Sequence, residues 1–64
     1  MVVVRRELRA SDADREAVIQ RLRQGFGEGR LTMSEFDERV VAACAAKTLG
    51  DLDVLTVDLP RSLW

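Results

Sequence analysis

Three Ser or Thr residues in this 64-residue chain stand just ahead of an apolar-periodic run and have an acid three positions on: Ser11 with Asp14, Thr32 with Glu35, Thr48 with Asp51. In such a capping box the hydroxyl accepts from a backbone N–H in the first helical turn, and the acid reaches back to the N–H of the cap residue. Two donors that the helix itself cannot satisfy are then satisfied. The acids also stand where the positive end of the helix dipole favours them. Three helix starts in so short a chain leave room for three short helices, at about 11–27, 32–47 and 48–59, and for little else. The fold class expected is all-α.

The middle start is the best specified. Gly29 suits the left-handed backbone that closes a preceding helix, and Leu31 with Phe36 forms a hydrophobic staple around the Thr32 cap. In the first helix Val18, Ile19, Leu22 and Phe26 fall on one stripe. In the second, Phe36, Val40, Ala43, Cys44 and Lys47 share a face, with Val41 beside them. In the third, Leu52, Leu55 and Leu59 point one way, and Pro60 ends it. Connections of two to six residues favour antiparallel neighbours. Helices 1 and 2 are therefore expected as an antiparallel hairpin with helix 3 packed across it. The core expected is Val18, Ile19, Leu22, Phe26, Leu31, Phe36, Val40, Cys44, Leu52, Leu55 and Leu59.

A single cysteine forms no internal disulfide, and with no histidine there is no ordinary structural zinc site. A chain of this size has a small core, so regular helix packing or a partner has to supply the rest. The net charge of −1 argues against a uniformly basic nucleic-acid binder. The charge is divided, however. Residues 1–30 hold seven Arg and five acids, and residues 31–64 hold three cations and six acids. Residues 1–10 are expected as a flexible arm, and 61–64 as a tail whose Trp64 has no assigned place. Met1–Val4 is too short for the apolar region of a signal peptide, and no run reaches the ~18 apolar residues of a membrane span. The single cysteine suits a cytoplasmic location.

Several chemistries are excluded by context. Gly25, Gly27 and Gly29 lie at the end of a helix, whereas a phosphate-binding glycine loop follows a strand and opens one. Asp51, Asp53 and Asp58 lack the central glycine and terminal glutamate of a calcium loop. Cys44 has no histidine with which to form a nucleophile pair. No catalytic residue, cofactor or metal is expected, and the chain is not expected to be an enzyme. What remains is the uncharged run Val40–Ala46, wider than a two-helix contact needs. It nominates Val41, Ala42 and Ala45, with Asp37 and Glu38, as a surface for a protein partner or for self-association. The alternative is a helix-turn-helix-like domain touching nucleic acid through Arg5, Arg6 and Arg9. It conflicts with the acids that open helix 2, where a recognition helix would meet phosphates.

Leu8–Glu16, Gly29–Thr32 with Glu35–Arg39, Ala45–Thr48, and Asp51–Leu52 with Asp58–Pro60 together resemble the SHOCT-like domain of actinobacterial proteins, a family of unknown function related to the short C-terminal (SHOCT) domains. The resemblance spans nearly the whole chain. It implies a small helical domain, often placed ahead of transmembrane segments, for which oligomerisation has been suggested. It implies no catalytic residues. If the chain is a piece of a longer protein, a place at the cytoplasmic face of a membrane is expected.

Overall fold

The computed structural model describes residues 4–60. They form α1 (Asp12–Gly27), α2 (Met33–Ala45) and α3 (Leu49–Asp53), preceded by one 3-10 turn at Arg5–Glu7. Among the described residues there is no strand, only an isolated antiparallel bridge between Arg9 and Thr48. The first three residues of the expected arm and the tail with Trp64 lie outside the described residues.

All three helices start at their boxes. The Asp14 N–H donates to Ser11 Oγ at 3.0 Å and the Ser11 N–H to Asp14 Oδ2 at 2.9 Å. Glu35 and Thr32 exchange the same bonds at 3.1 and 2.8 Å. Asp51 and Thr48 do so at 3.2 Å each way, and Asp51 Oδ2 also accepts from the Lys47 N–H at 3.1 Å. These backbone donors are the main cause that holds the Asp14, Glu35 and Asp51 carboxyls below their ordinary values.

The end of α1 is equally well determined. Gly29 has φ +76°, a region open to glycine at no steric cost. The Arg30 N–H reaches back to the Gly25 carbonyl at 2.8 Å and the Gly29 N–H to the Phe26 carbonyl at 3.0 Å, the paired closure of a Schellman turn. The chain then reverses. Phe26 and Phe36 stack beside the turn with ring centroids 5.0 Å apart. At the opposite end Arg15 Nε donates to the Ala46 carbonyl at 3.0 Å. Contacts between residues 26 and 36 and between 15 and 46 make α1 and α2 an antiparallel hairpin.

The third helix is shorter than its apolar row suggests. It stops at Asp53, and the chain continues to Leu59 in successive turns, with i→i−3 bonds from Leu55 to Leu52, Thr56 to Asp53 and Leu59 to Thr56. Val54, Thr56 and Val57 are β-branched and stiff, and Pro60 turns Leu59 away from helical backbone. Arg39 of α2 secures this segment. It donates to the Leu55 carbonyl at 3.1 Å and grips Asp58 with two bonds of 2.6 and 3.0 Å, which lowers the Asp58 pKa.

Two clusters form the core. Leu22, Leu31 and Leu59 are buried near the hairpin turn, with Val18, Phe36 and Val40 packed on them. Ala10, Ala43, Ala46 and Leu52 are buried at the other end, beside Val18, Ile19, Leu49 and Leu55. Cys44 does not belong to either: it is exposed. The inward stripe of α2 runs Phe36, Val40, Ala43, at intervals of four and three, and places Cys44 on the flank. Ala43 has the buried position instead, with no exposed surface.

Residues 4–10 lie along α3. The Leu49 N–H donates to the Leu8 carbonyl and the Ala10 N–H to the Lys47 carbonyl, each at 2.9 Å. The main chain at Arg6 passes so close to Gly50 that a Cβ there would meet the Arg6 carbonyl oxygen at 3.0 Å.

Candidate interaction surface

With Phe36, Val40 and Ala43 turned inward, helical geometry puts Ser34, Glu38, Val41 and Ala45 on the outward side of α2. Asp37 and Ala42 flank them. All are exposed, Val41 to 69%. Ala42, Cys44 and Ala45 add small side chains around Val41, so this part of α2 has no charge and, among the described residues, no covering element. One turn toward the N-terminus stand Asp37 and Glu38. Among the described residues neither forms an ion pair. The surface is thus a low, smooth apolar patch with two free carboxylates at one edge, and the small side chains permit close approach of another backbone.

The three arginines proposed to touch nucleic acid are placed differently. Arg5 is paired with Asp53 at 2.8 Å, Arg6 lies over Gly50, and Arg9 forms the bridge to Thr48. They follow the arm along α3 and do not gather on the exposed side of α2.

Three other arginines tie the fold together. Arg15 links α1 to the end of α2. Arg39 holds the turns after α3. Arg21 donates to Thr56 Oγ1 at 3.1 Å and to the Pro60 carbonyl at 3.3 Å. A long side chain reaching 16 to 39 residues along the chain leaves no local pattern by which to find it. Among the described residues no three Cys, Asp or Glu side chains converge as a cation site, and no helix is long and apolar enough to cross a membrane.

A family model described as the DUF1707 SHOCT-like domain matches residues 8–60. Among curated proteins, the chain is 47% identical over 51 residues to the uncharacterized protein Rv0048c of Mycobacterium tuberculosis, covering 80% of this chain and 18% of the relative. It is 42% identical over 52 residues to the uncharacterized protein Rv0966c of the same organism, covering 81% of this chain and 26% of the relative. The chain therefore spans about a quarter or less of the length of these relatives. No solved structure matches it.

Proposed function

The chain belongs to the DUF1707 SHOCT-like domain family, and from that premise we propose that it is a small non-catalytic protein-interaction or oligomerisation module whose docking face is the outer side of α2. The observation that carries this reading is the run Val41, Ala42, Cys44 and Ala45, which among the described residues is exposed and lies beside Asp37 and Glu38 that form no ion pair there. Burying such a patch against a second helix is favourable by about 25 cal/mol per Å² of apolar surface. The two carboxylates bias the choice of partner toward a basic counterpart.

The non-catalytic part of the proposal is supported by how the acids are used. Asp14, Glu35 and Asp51 accept from backbone donors at helix starts, and Asp53 and Asp58 are paired with Arg5 and Arg39. The chain has no histidine or tyrosine to supply an acid–base partner. Nucleic-acid binding is less favoured, because Arg5 is neutralised by Asp53 while α2 presents Asp37 and Glu38. We place the module in the cytoplasm, in keeping with its lone thiol.

Sedimentation equilibrium over a wide concentration range tests self-association first. A mass that rises with concentration for the native chain, and stays monomeric for Val41→Glu, is the expected result. Asp37→Lys with Glu38→Lys should shift the association at low salt and less at moderate salt. A native chain that remains monomeric throughout removes the oligomerisation form of the proposal.

A further inference from the structure

A cleft of about 200 Å³ lies between α1, α3 and the N-terminal segment, on a different side from the α2 face. Val18, Leu49 and Leu52 give it an apolar floor, and Asp14 and Asp53 stand on its walls. Two arginines line it as well: Arg21, which is bonded to Thr56 Oγ1, and Arg5, whose Nη1 donates to Asp53 Oδ2 at 2.8 Å.

The way this arm is held is unusual for part of a core. From Val4 to Arg9 every residue is exposed, and Ala10 alone is buried. The attachment is instead made by the main chain: the Leu49 N–H to the Leu8 carbonyl, the Ala10 N–H to the Lys47 carbonyl, and the passage of Arg6 over Gly50. To these is added one solvent-exposed ion pair, a weak contribution. Residues 8–10 lie against residues 47–49 as an extended peptide lies on an open backbone edge, with main-chain bonds for affinity, and the 3-10 turn at Arg5–Glu7 ahead of them presents the side-chain contact. The match to the family model begins at Leu8, so Arg5 and Arg6 lie ahead of the matched stretch.

We propose that the face formed by the Lys47 carbonyl, the Leu49 N–H, the side-chain-free Gly50 and the Asp53 carboxylate is a receptor for a segment of another protein that carries an arginine on a 3-10 turn followed by a short extended stretch, and that residues 5–10 occupy it as a built-in competitor. Gly50 provides the clearance a peptide backbone needs. Asp53, beside Asp14, selects a guanidinium over an acid or a neutral side chain. The apolar floor accepts the aliphatic stem of that arginine. The chain's own arm shows which chemistry fits, and release of the arm frees the site.

The test uses the full isotope-labelled chain and a capped synthetic peptide with the sequence of residues 4–10. A tethered arm competes at an effective concentration on the order of millimolar. Arg5→Glu, which removes the competitor's contact with Asp53 without touching the core, should therefore bind the peptide about threefold more tightly than the native chain, the scale of one exposed ion pair. Binding is read as saturable shifts of the Leu49, Gly50 and Asp53 amide signals. Unchanged Leu22 and Ala43 signals show that the variant is folded. A peptide whose first arginine is replaced by glutamate should bind more weakly, its shifts saturating only at higher peptide concentration. Equal shifts with that control peptide, or none with either peptide at millimolar concentration, overturn the proposal. A doubling of mass in the native chain that Arg5→Glu abolishes and Val41→Glu does not would place a second copy's arm in the site, and would overturn the separate-partner form.

Discussion

The two ends of the α1–α2 hairpin are built on opposite principles. Near the turn the core is filled by large side chains: Leu22, Leu31 and Leu59, with the stacked Phe26 and Phe36 beside them. Space is made for them by removing a side chain elsewhere, since a Cβ on Gly25 would meet Leu59 Cδ2 at 3.0 Å. At the other end the buried residues are Ala10, Ala43 and Ala46 around one leucine, Leu52. There the backbones themselves come close, with the arm lying over Gly50 and bonded to Lys47 and Leu49. One end is stabilised by the volume it buries, the other by the closeness it allows. The first should therefore suffer most from truncation and the second from enlargement.

Leu22→Ala should give the largest effect. Leu22 has no exposed surface, and truncating a buried leucine costs about 2–5 kcal/mol, enough to unfold much of a domain this short. Urea denaturation followed by circular dichroism reads it. Ala43→Leu tests the other end. Ala43 is also fully buried, and overpacking costs about 1–3 kcal/mol, whereas Ala45→Leu on the exposed side of the same helix should stay within about 0.5 kcal/mol of the native chain. If both leucines are tolerated equally, the small-residue end is not closely packed and the contrast fails.

A smaller effect is expected at the turn. Gly29→Ala puts a Cβ on a backbone with φ +76°, at a cost of about 1–2 kcal/mol, although open space surrounds the position. Its thermal midpoint should fall without any change in helical content at low temperature.

These residues also show what a sequence discloses. The starts of all three helices were evident, because each box is a bond between residues three apart and needs no knowledge of the rest of the fold. Gly29 was evident for the same reason. The reach of α3 was not: its leucine row continues to Leu59, yet the helix ends at Asp53, where β-branched residues take over and Arg39 offers the carbonyl of Leu55 a donor from outside the helix. The exposure of Cys44 turned on which side of α2 faced α1, a choice settled by Phe36 and Val40. Gly25 and Gly50 are not explained by their neighbours in the sequence. Their use depends on Leu59 and Arg6, more than 30 residues away in sequence. For the α2 surface, the composition of the run marked it as wider than a two-helix contact needs.

The smallest effect is the pH dependence, and it bears on both ends alike. Asp14, Glu35 and Asp51 have folded pKa values below their ordinary 3.8, 4.5 and 3.8. The stability they contribute is complete above those ordinary values and is lost as pH falls through the depressed ones. The thermal midpoint should be level down to about pH 5 and decline below pH 4. Thr32→Ala with Glu35→Gln should make that decline shallower, and an unchanged slope would show that the middle box does not contribute to it.

The outward position of Cys44 has a practical consequence. It is the chain's single thiol, it is exposed, and it lies on α2 a few residues from Val41. A maleimide fluorophore therefore attaches at one known place, at the border of the surface whose occupant is in question. Its emission colour and anisotropy then report directly when something settles there, whichever molecule that is.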